Sequence, residues 1–147
     1  MGNGKTRIFI DTNVLIYSTL AQDHRCLRAT KALVAQDGQE RFISVQNLAE
    51  MYPNLTGPKM EVPDSPAMAG LKIRSIANLP GLQVLPLTAE VQKIALQLCE
   101  SYGITRQKYS DVQIVATMIA YGIKTIYTEN NRDFKGFTEI EAINPFE

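Results

Sequence analysis

The stretch T-R-I-F-I-D-T-N-V-L-I-Y, residues 6–17, decides the fold. Thr6 to Ile10 is apolar and rich in β-formers, and it runs straight into Asp11-Thr12-Asn13. That is the pattern of a buried strand ending at a polar triplet, with a helix starting between Val14 and Tyr17. In open α/β sheets ligands bind outside the carboxyl ends of the strands, so Asp11 stands where chemistry is expected.

Working outward, the same alternation recurs. His24 to Ala35 repeats Leu27, Lys31 and Val34 at helical spacing, Asp37-Gly38 stops it, and Arg41 to Ile43 is a short strand. Ser44 N-caps a helix with Leu48, Met51 and Leu55 on one face and Asn47 and Glu50 on another. Pro53 is expected to end or bend that helix near Tyr52. Pro53 to Pro66 contains four prolines and a glycine and reads as an irregular excursion, too short to divide two cores. A helix over Ala67 to Asn78 and a strand over Gln83 to Leu85 come next. Thr88 then caps an amphipathic helix with Val91, Ile94, Ala95 and Leu98 inward, closed by Gly103. Ser110 and Gln113 form a capping box for Val112 to Tyr121, which is apolar nearly all round and therefore central. Ile123 to Tyr127 is a strand, Thr128 to Phe134 a polar loop and Glu139 to Ile143 a last strand. The expected class is α/β: a three-layer α/β/α domain over residues 1–147 with a mostly parallel sheet of about five strands.

With 147 residues, 45% hydrophobic and 20% charged, the chain is the size of one ordinary domain and lacks the signature of disorder. Fifteen basic and fifteen acidic side chains cancel, which excludes a global positive field; any nucleic-acid contact must be local. The opening Met1 to Thr6 is polar and the apolar run after it is short, matching neither a signal peptide nor a membrane span, so the cytoplasm is the expected compartment. Cys26 and Cys99 fall in helical segments without a C-x-x-C and read as thiols, not a disulfide framework.

Four acids fall on that one side of the sheet. Asp11 ends the first strand, Glu50 lies on the helix after the second, Asp111 sits in the first turn of the buried helix, and Asp133 follows the fourth strand. Gathered carboxylates repel unless a cation compensates them. Oxygen ligands without a His or Cys cluster suit Mg²⁺ or Mn²⁺, and phosphodiester hydrolysis follows from such a site. Taken singly, each has a bland explanation: Asp11 as a helix cap, Glu50 as a solvated face residue, Asp111 as a carboxylate at the positive end of a helix dipole, Asp133 as a loop acid. Their joint spacing favours the site.

The pieces F-I-D-T-N-V-L-I-Y (Phe9 to Tyr17), S-V-Q-N-L-A-E (Ser44 to Glu50), Y-S-D-V-Q-I-V-A (Tyr109 to Ala116) and T-E-N-N-R-D-F (Thr128 to Phe134), in this order and at these spacings, make the chain resemble the PIN-domain family. It is especially similar to the VapC-type toxin ribonucleases of toxin-antitoxin pairs. The resemblance implies that Asp11, Glu50 and Asp111 bind metal and that Asp133 matches a fourth acid of variable role, with Glu129 its rival. Thr128 and Asn130 match supporting polar positions, while Thr12, Asn13, Ser44 and Asn47 are expected to orient carboxylates or waters. It also implies an RNA substrate, an antitoxin-like inhibitor protein and a homodimer.

Arg106, Lys108, Arg132 and Lys135 flank the acids and are candidates to hold a phosphate backbone. The segment Pro53 to Leu79 departs from the family's motifs and is a candidate flap beside the site. Gly4-Lys5-Thr6 imitates the end of a P-loop but precedes a strand instead of a helix, and His24, the only histidine, has no G-x-S-x-G to work with. Against the metal-dependent endoribonuclease stands one alternative of another class, a non-catalytic RNA or protein interaction module on the same fold. Metal titration separates the two.

Overall fold

The computed structural model describes residues 5–147. Met1 to Gly4 lie outside the described residues, and with them the glycine of the P-loop-like Gly4-Lys5-Thr6.

Side-chain alternation along the strands divides the core into two layers. β1 (Thr6–Ile10) sends Ile8 and Ile10 into one apolar cluster and Phe9 into the other, and β2 (Gln39–Ser44) divides Ile43 from Phe42 the same way. Strands buried on both faces carry apolar residues at consecutive positions, as Ile8-Phe9-Ile10 and the shorter Phe42-Ile43 do. β3 (Leu82–Leu85), β4 (Thr125–Tyr127) and β5 (Glu141–Ile143) complete a sheet ordered β3-β2-β1-β4-β5 with every pairing parallel. One face is covered by α1 (Thr12–Ser18), α2 (Cys26–Leu33), α3 (Val45–Leu55) and α4 (Pro66–Ala77). The other is covered by α5 (Ala89–Tyr102) and α6 (Tyr109–Ala120). The fold is the three-layer α/β/α arrangement, with an all-parallel sheet of five strands. No helix among the described residues is long and apolar enough to cross a membrane.

The strand order reverses at β1. The chain steps outward through β2 and β3, then returns to place β4 and β5 on the opposite side. The crevice at the carboxyl ends of β1 and β4 is therefore a topological switch point. The Asp11 N–H donates to the Tyr127 carbonyl at 3.0 Å and locks the two strand ends together there.

Several local expectations are corrected. Pro53 does not end its helix, because it sits in the last turn, where it forfeits one backbone bond while Met51 and Leu55 anchor that turn in the core. The helix stops at Thr56, and Gly57 follows because a Cβ there would lie 2.5 Å from the Pro53 carbonyl oxygen. The irregular excursion is thus shorter than expected, and Asp64 ties its end to α4 through Lys72 at 2.9 Å. On α2 the buried side chains are Ala29, Ala32 and Leu33, whereas Leu27 and Val34 face solvent. The expected Ser110–Gln113 capping box is absent: a 3-10 turn over Arg106–Lys108 feeds straight into α6, so Ser110 lies inside the helix and bonds back to Gln107. The polar loop after Tyr127 contains a further 3-10 turn, Asn131–Phe134, pinned by buried Phe134. Cys26 and Cys99 are free thiols.

Candidate active site

Asp11 is both a cap and a pocket residue. One carboxylate oxygen accepts the Thr12 N–H at 2.8 Å, closing the first turn of α1; the other accepts the Thr128 hydroxyl at 2.8 Å from the end of β4. Asn13 spans the same strand ends: its amide donates to Thr128 Oγ1 at 3.2 Å and approaches Asp11 at 3.4 Å, and its carbonyl accepts the Glu129 N–H at 3.0 Å. The Asn130 N–H adds a bond to Thr128 Oγ1 at 3.0 Å. Burial of Asp11 pushes its pKa up to about 6; the two donors oppose that rise, and the charges of Glu50 and Asp111 add to it.

Glu50 is brought in by α3 and held by neutral donors. Thr12 Oγ1 donates to one oxygen at 2.7 Å and Gln46 Nε2 to the other at 3.1 Å. Asn47 sets that arrangement: its amide donates to Thr12 Oγ1 at 3.0 Å, while its carbonyl accepts from Ser44 N–H and Oγ at 2.8 and 3.1 Å. Gln46, not anticipated from sequence, also donates to the Ser110 carbonyl at 2.8 Å and so joins α3 to α6; its buried Oε1 has no donor among the described residues. Its position four residues before Glu50 on a helix was the available signal.

Asp111 enters from the first turn of α6, with its pKa raised by burial in spite of Lys108, whose Nζ stands 3.4 Å from Oδ2. Asp133 is exposed and does not line the pocket shared by the other three acids, although its charge adds to the rise at Asp111. Lys108 also donates to the Asp133 carbonyl, while Arg106, Arg132 and Lys135 are exposed. Arg106 adopts φ 60°, the left-handed region that a non-glycine residue rarely occupies.

Glu129 is engaged elsewhere. Arg25 Nη1 donates to it at 2.7 Å and Tyr17 Oη at 2.5 Å, while Arg25 grips Asp23 through two bonds of 2.9 Å and stacks 3.7 Å from the Tyr17 ring. Arg25 holds Asp23 down to about 2; burial and the Glu129 contact push Tyr17 up to about 12. The cluster braces the loop that carries Thr128.

Asp11, Glu50 and Asp111, with Thr12, Asn13 and Asn130, line one cavity of about 220 Å³ at the switch point. Among the described residues no three His, Cys, Asp or Glu side chains are drawn together tightly enough to clasp a metal ion as they stand. Mg²⁺ and Mn²⁺ do not require such a cage: small hard cations keep waters and take one or two carboxylates directly. An all-oxygen donor set, with two carboxylates whose proton affinity is raised, fits such an ion. Beside the cavity runs a larger groove of about 1090 Å³, lined by Leu20, Met60 and Val62 among polar and charged side chains and sharing Asn13, Ile16, Asn54 and Asn130 with it.

A PIN-domain family model matches residues 8–140, and the chain belongs to the PIN-domain family. Its fold is shared with VapC20 of Mycobacterium tuberculosis, described as a sarcin-ricin-loop-cleaving toxin, at a TM-score of 0.68 and 20% identity over 91% of this chain and 98% of that one. It is shared likewise with VapBC2 of Rickettsia felis, solved on a promoter DNA fragment, at a TM-score of 0.66 and 20% identity over 95% and 98% of the two chains. A toxin-antitoxin complex from Klebsiella pneumoniae gives a TM-score of 0.63 and 18% identity over 95% and 98%. No curated protein matches the chain.

Proposed function

We propose that this PIN domain is a metal-dependent endoribonuclease, acting as the toxin of a toxin-antitoxin pair, with Asp11, Glu50 and Asp111 holding Mg²⁺ or Mn²⁺. The observation that carries it is the convergence of three carboxylates from separate segments on one cavity at the switch point. When bound, the ion supplies activation of the attacking water and neutralisation of charge at the phosphate. The chain's own residues supply placement. Thr128 and the Thr12 N–H fix Asp11, the Asn47–Thr12 relay and Gln46 fix Glu50, and Asp133 tunes Asp111 from the rim. Fixed orientation of this kind lowers the entropic cost of reaching in-line geometry. Arg106, Lys108, Arg132 and Lys135 give a locally cationic approach for the RNA backbone on a chain of zero net charge.

The groove beside the cavity, where Ile16, Leu20, Met60 and Val62 stand among charged side chains such as Arg25, Lys59, Glu61 and Lys72, suits an amphipathic peptide segment of an antitoxin, whose occupancy would block the mouth. Structural neighbours solved as toxin-antitoxin assemblies support that partner. A homodimer belongs to the same proposal, with exposed Val45 and Tyr52 on α3 and Met68 and Leu71 on α4 as its apolar surface. The test is cleavage mapping on total cellular RNA with Mg²⁺, Mn²⁺ or chelator, wild type beside Asp11→Asn and Asp111→Asn. Discrete cuts with metal and wild-type protein only are expected; equal cutting by folded variants removes the proposal.

A further inference from the structure

We infer that Lys108 is a resident counter-ion of the acid cluster: it occupies Asp111 when no divalent ion is bound, competes with that ion, and is released to the RNA phosphate when the ion takes the carboxylate. This rests on the proposed nuclease function and gives Lys108 a second role, toward the metal, at that same site.

Three features of Lys108 point this way. Its Nζ lies 3.4 Å from Asp111 Oδ2 and donates to the Asp133 carbonyl, so the ammonium bridges the pocket acid and the rim loop. It is the N-cap residue of α6, where the helix dipole is positive and a lysine is the wrong charge unless carboxylates compensate it. The turn presenting it, Arg106–Lys108, begins on a residue at φ 60°, so the backbone adopts a disfavoured conformation two residues before this lysine.

A monovalent ammonium and a hydrated divalent ion cannot share one carboxylate without repelling each other. Entry of the ion at Asp111 therefore weakens the Lys108 contact. With a side chain 37% exposed on a flexible stem, Lys108 can turn from Asp111 toward solvent, where a substrate brings a phosphate. The lysine thus tempers metal affinity in the empty enzyme and adds substrate affinity in the loaded one. Two effects of opposite sign from one side chain distinguish this role from that of an ordinary surface lysine.

The experiment is calorimetric titration of Mn²⁺ into the full chain, wild type beside Lys108→Met and Lys108→Arg, with circular dichroism as the check of fold and KM for an RNA oligonucleotide measured in parallel. Lys108→Met is expected to bind Mn²⁺ about fivefold more tightly, the upper end for a partly exposed ion pair. Its KM for RNA should rise, Lys108→Arg should resemble wild type in both, and the gain in Mn²⁺ affinity should fall away in an Asp111→Asn background. Folded Lys108→Met with unchanged or weaker Mn²⁺ affinity, or with tighter Mn²⁺ but unaltered KM, overturns the inference while leaving the nuclease intact. Wild type that binds no Mn²⁺ overturns the nuclease proposal itself and this inference with it.

Discussion

Replacing Asp11 with Asn should make the metal-free protein more stable at neutral pH while removing its response to metal. Asp11 is 7% exposed, and burial raises its pKa from 3.8 to about 6. The folded chain therefore holds this proton more tightly than the unfolded chain does. The stability that follows is fully present below pH 3.8 and is lost as pH rises through about 6. At about 1.4 kcal/mol per tenfold in proton affinity, the cost of the ionised, metal-free carboxylate at pH 7.5 is about 3 kcal/mol. Asparagine escapes that cost and still caps α1, but it can accept only one of the two bonds from Thr12 and Thr128. The net gain is then about 2 kcal/mol, or roughly 4–8 °C in Tm for a chain of this size. Thermal melts in chelator at pH 7.5 and pH 4, followed by far-UV circular dichroism, read it directly. The variant should melt above wild type at pH 7.5 and at or below it at pH 4. A variant destabilised equally at both pH values would refute the reasoning, since the buried charge would then cost nothing.

Mn²⁺ affinity should weaken as pH falls below about 6, where Asp11 takes up its proton, and a calorimetric series from pH 5 to 8 shows whether it does. At a hundred times Kd, Mn²⁺ should stabilise wild type by about 2.7 kcal/mol and leave Asp11→Asn unmoved. Arg25→Gln and Glu129→Gln, measured by urea denaturation singly and together, should show a coupling of about 1 kcal/mol, because both side chains are partly shielded and share Tyr17. Gly57→Ala should cost about 1–3 kcal/mol in the same assay, since its Cβ meets the Pro53 carbonyl oxygen at 2.5 Å.

Most of the architecture was legible because the hydrophobic run of β1, the strand-helix alternation after it and the largely apolar α6 have one economical solution, a covered parallel sheet. Strand ends, helix positions and the motif resemblance together pointed to four acids at one mouth; the cavity gathers Asp11, Glu50 and Asp111 and leaves Asp133 outside. Residues whose role depends on long-range neighbours were not legible. Asp133 was expected as the fourth acid with Glu129 its rival, yet Arg25, more than a hundred residues earlier in the chain, grips Glu129, and Asp133 stays outside the cavity. Beyond its spacing from Glu50, Gln46 carries no signal of its own in the sequence, because its role depends on α6 bringing the Ser110 carbonyl to it. Pro53 misled because the rule against proline applies to a helix interior and weakens in a last turn anchored by Leu55. The outward Leu27 and Val34 imitate a buried stripe that the smaller Ala29 and Ala32 fill instead, because α2 packs closely against α1.

The shared-cation claim is tested most directly by anomalous diffraction from crystals grown in Mn²⁺. A peak should lie in the cavity, in direct or water-bridged contact with Asp11, Glu50 and Asp111. Saturating Mn²⁺ that gives no peak there, or one held by only a single acid of the three, would contradict it.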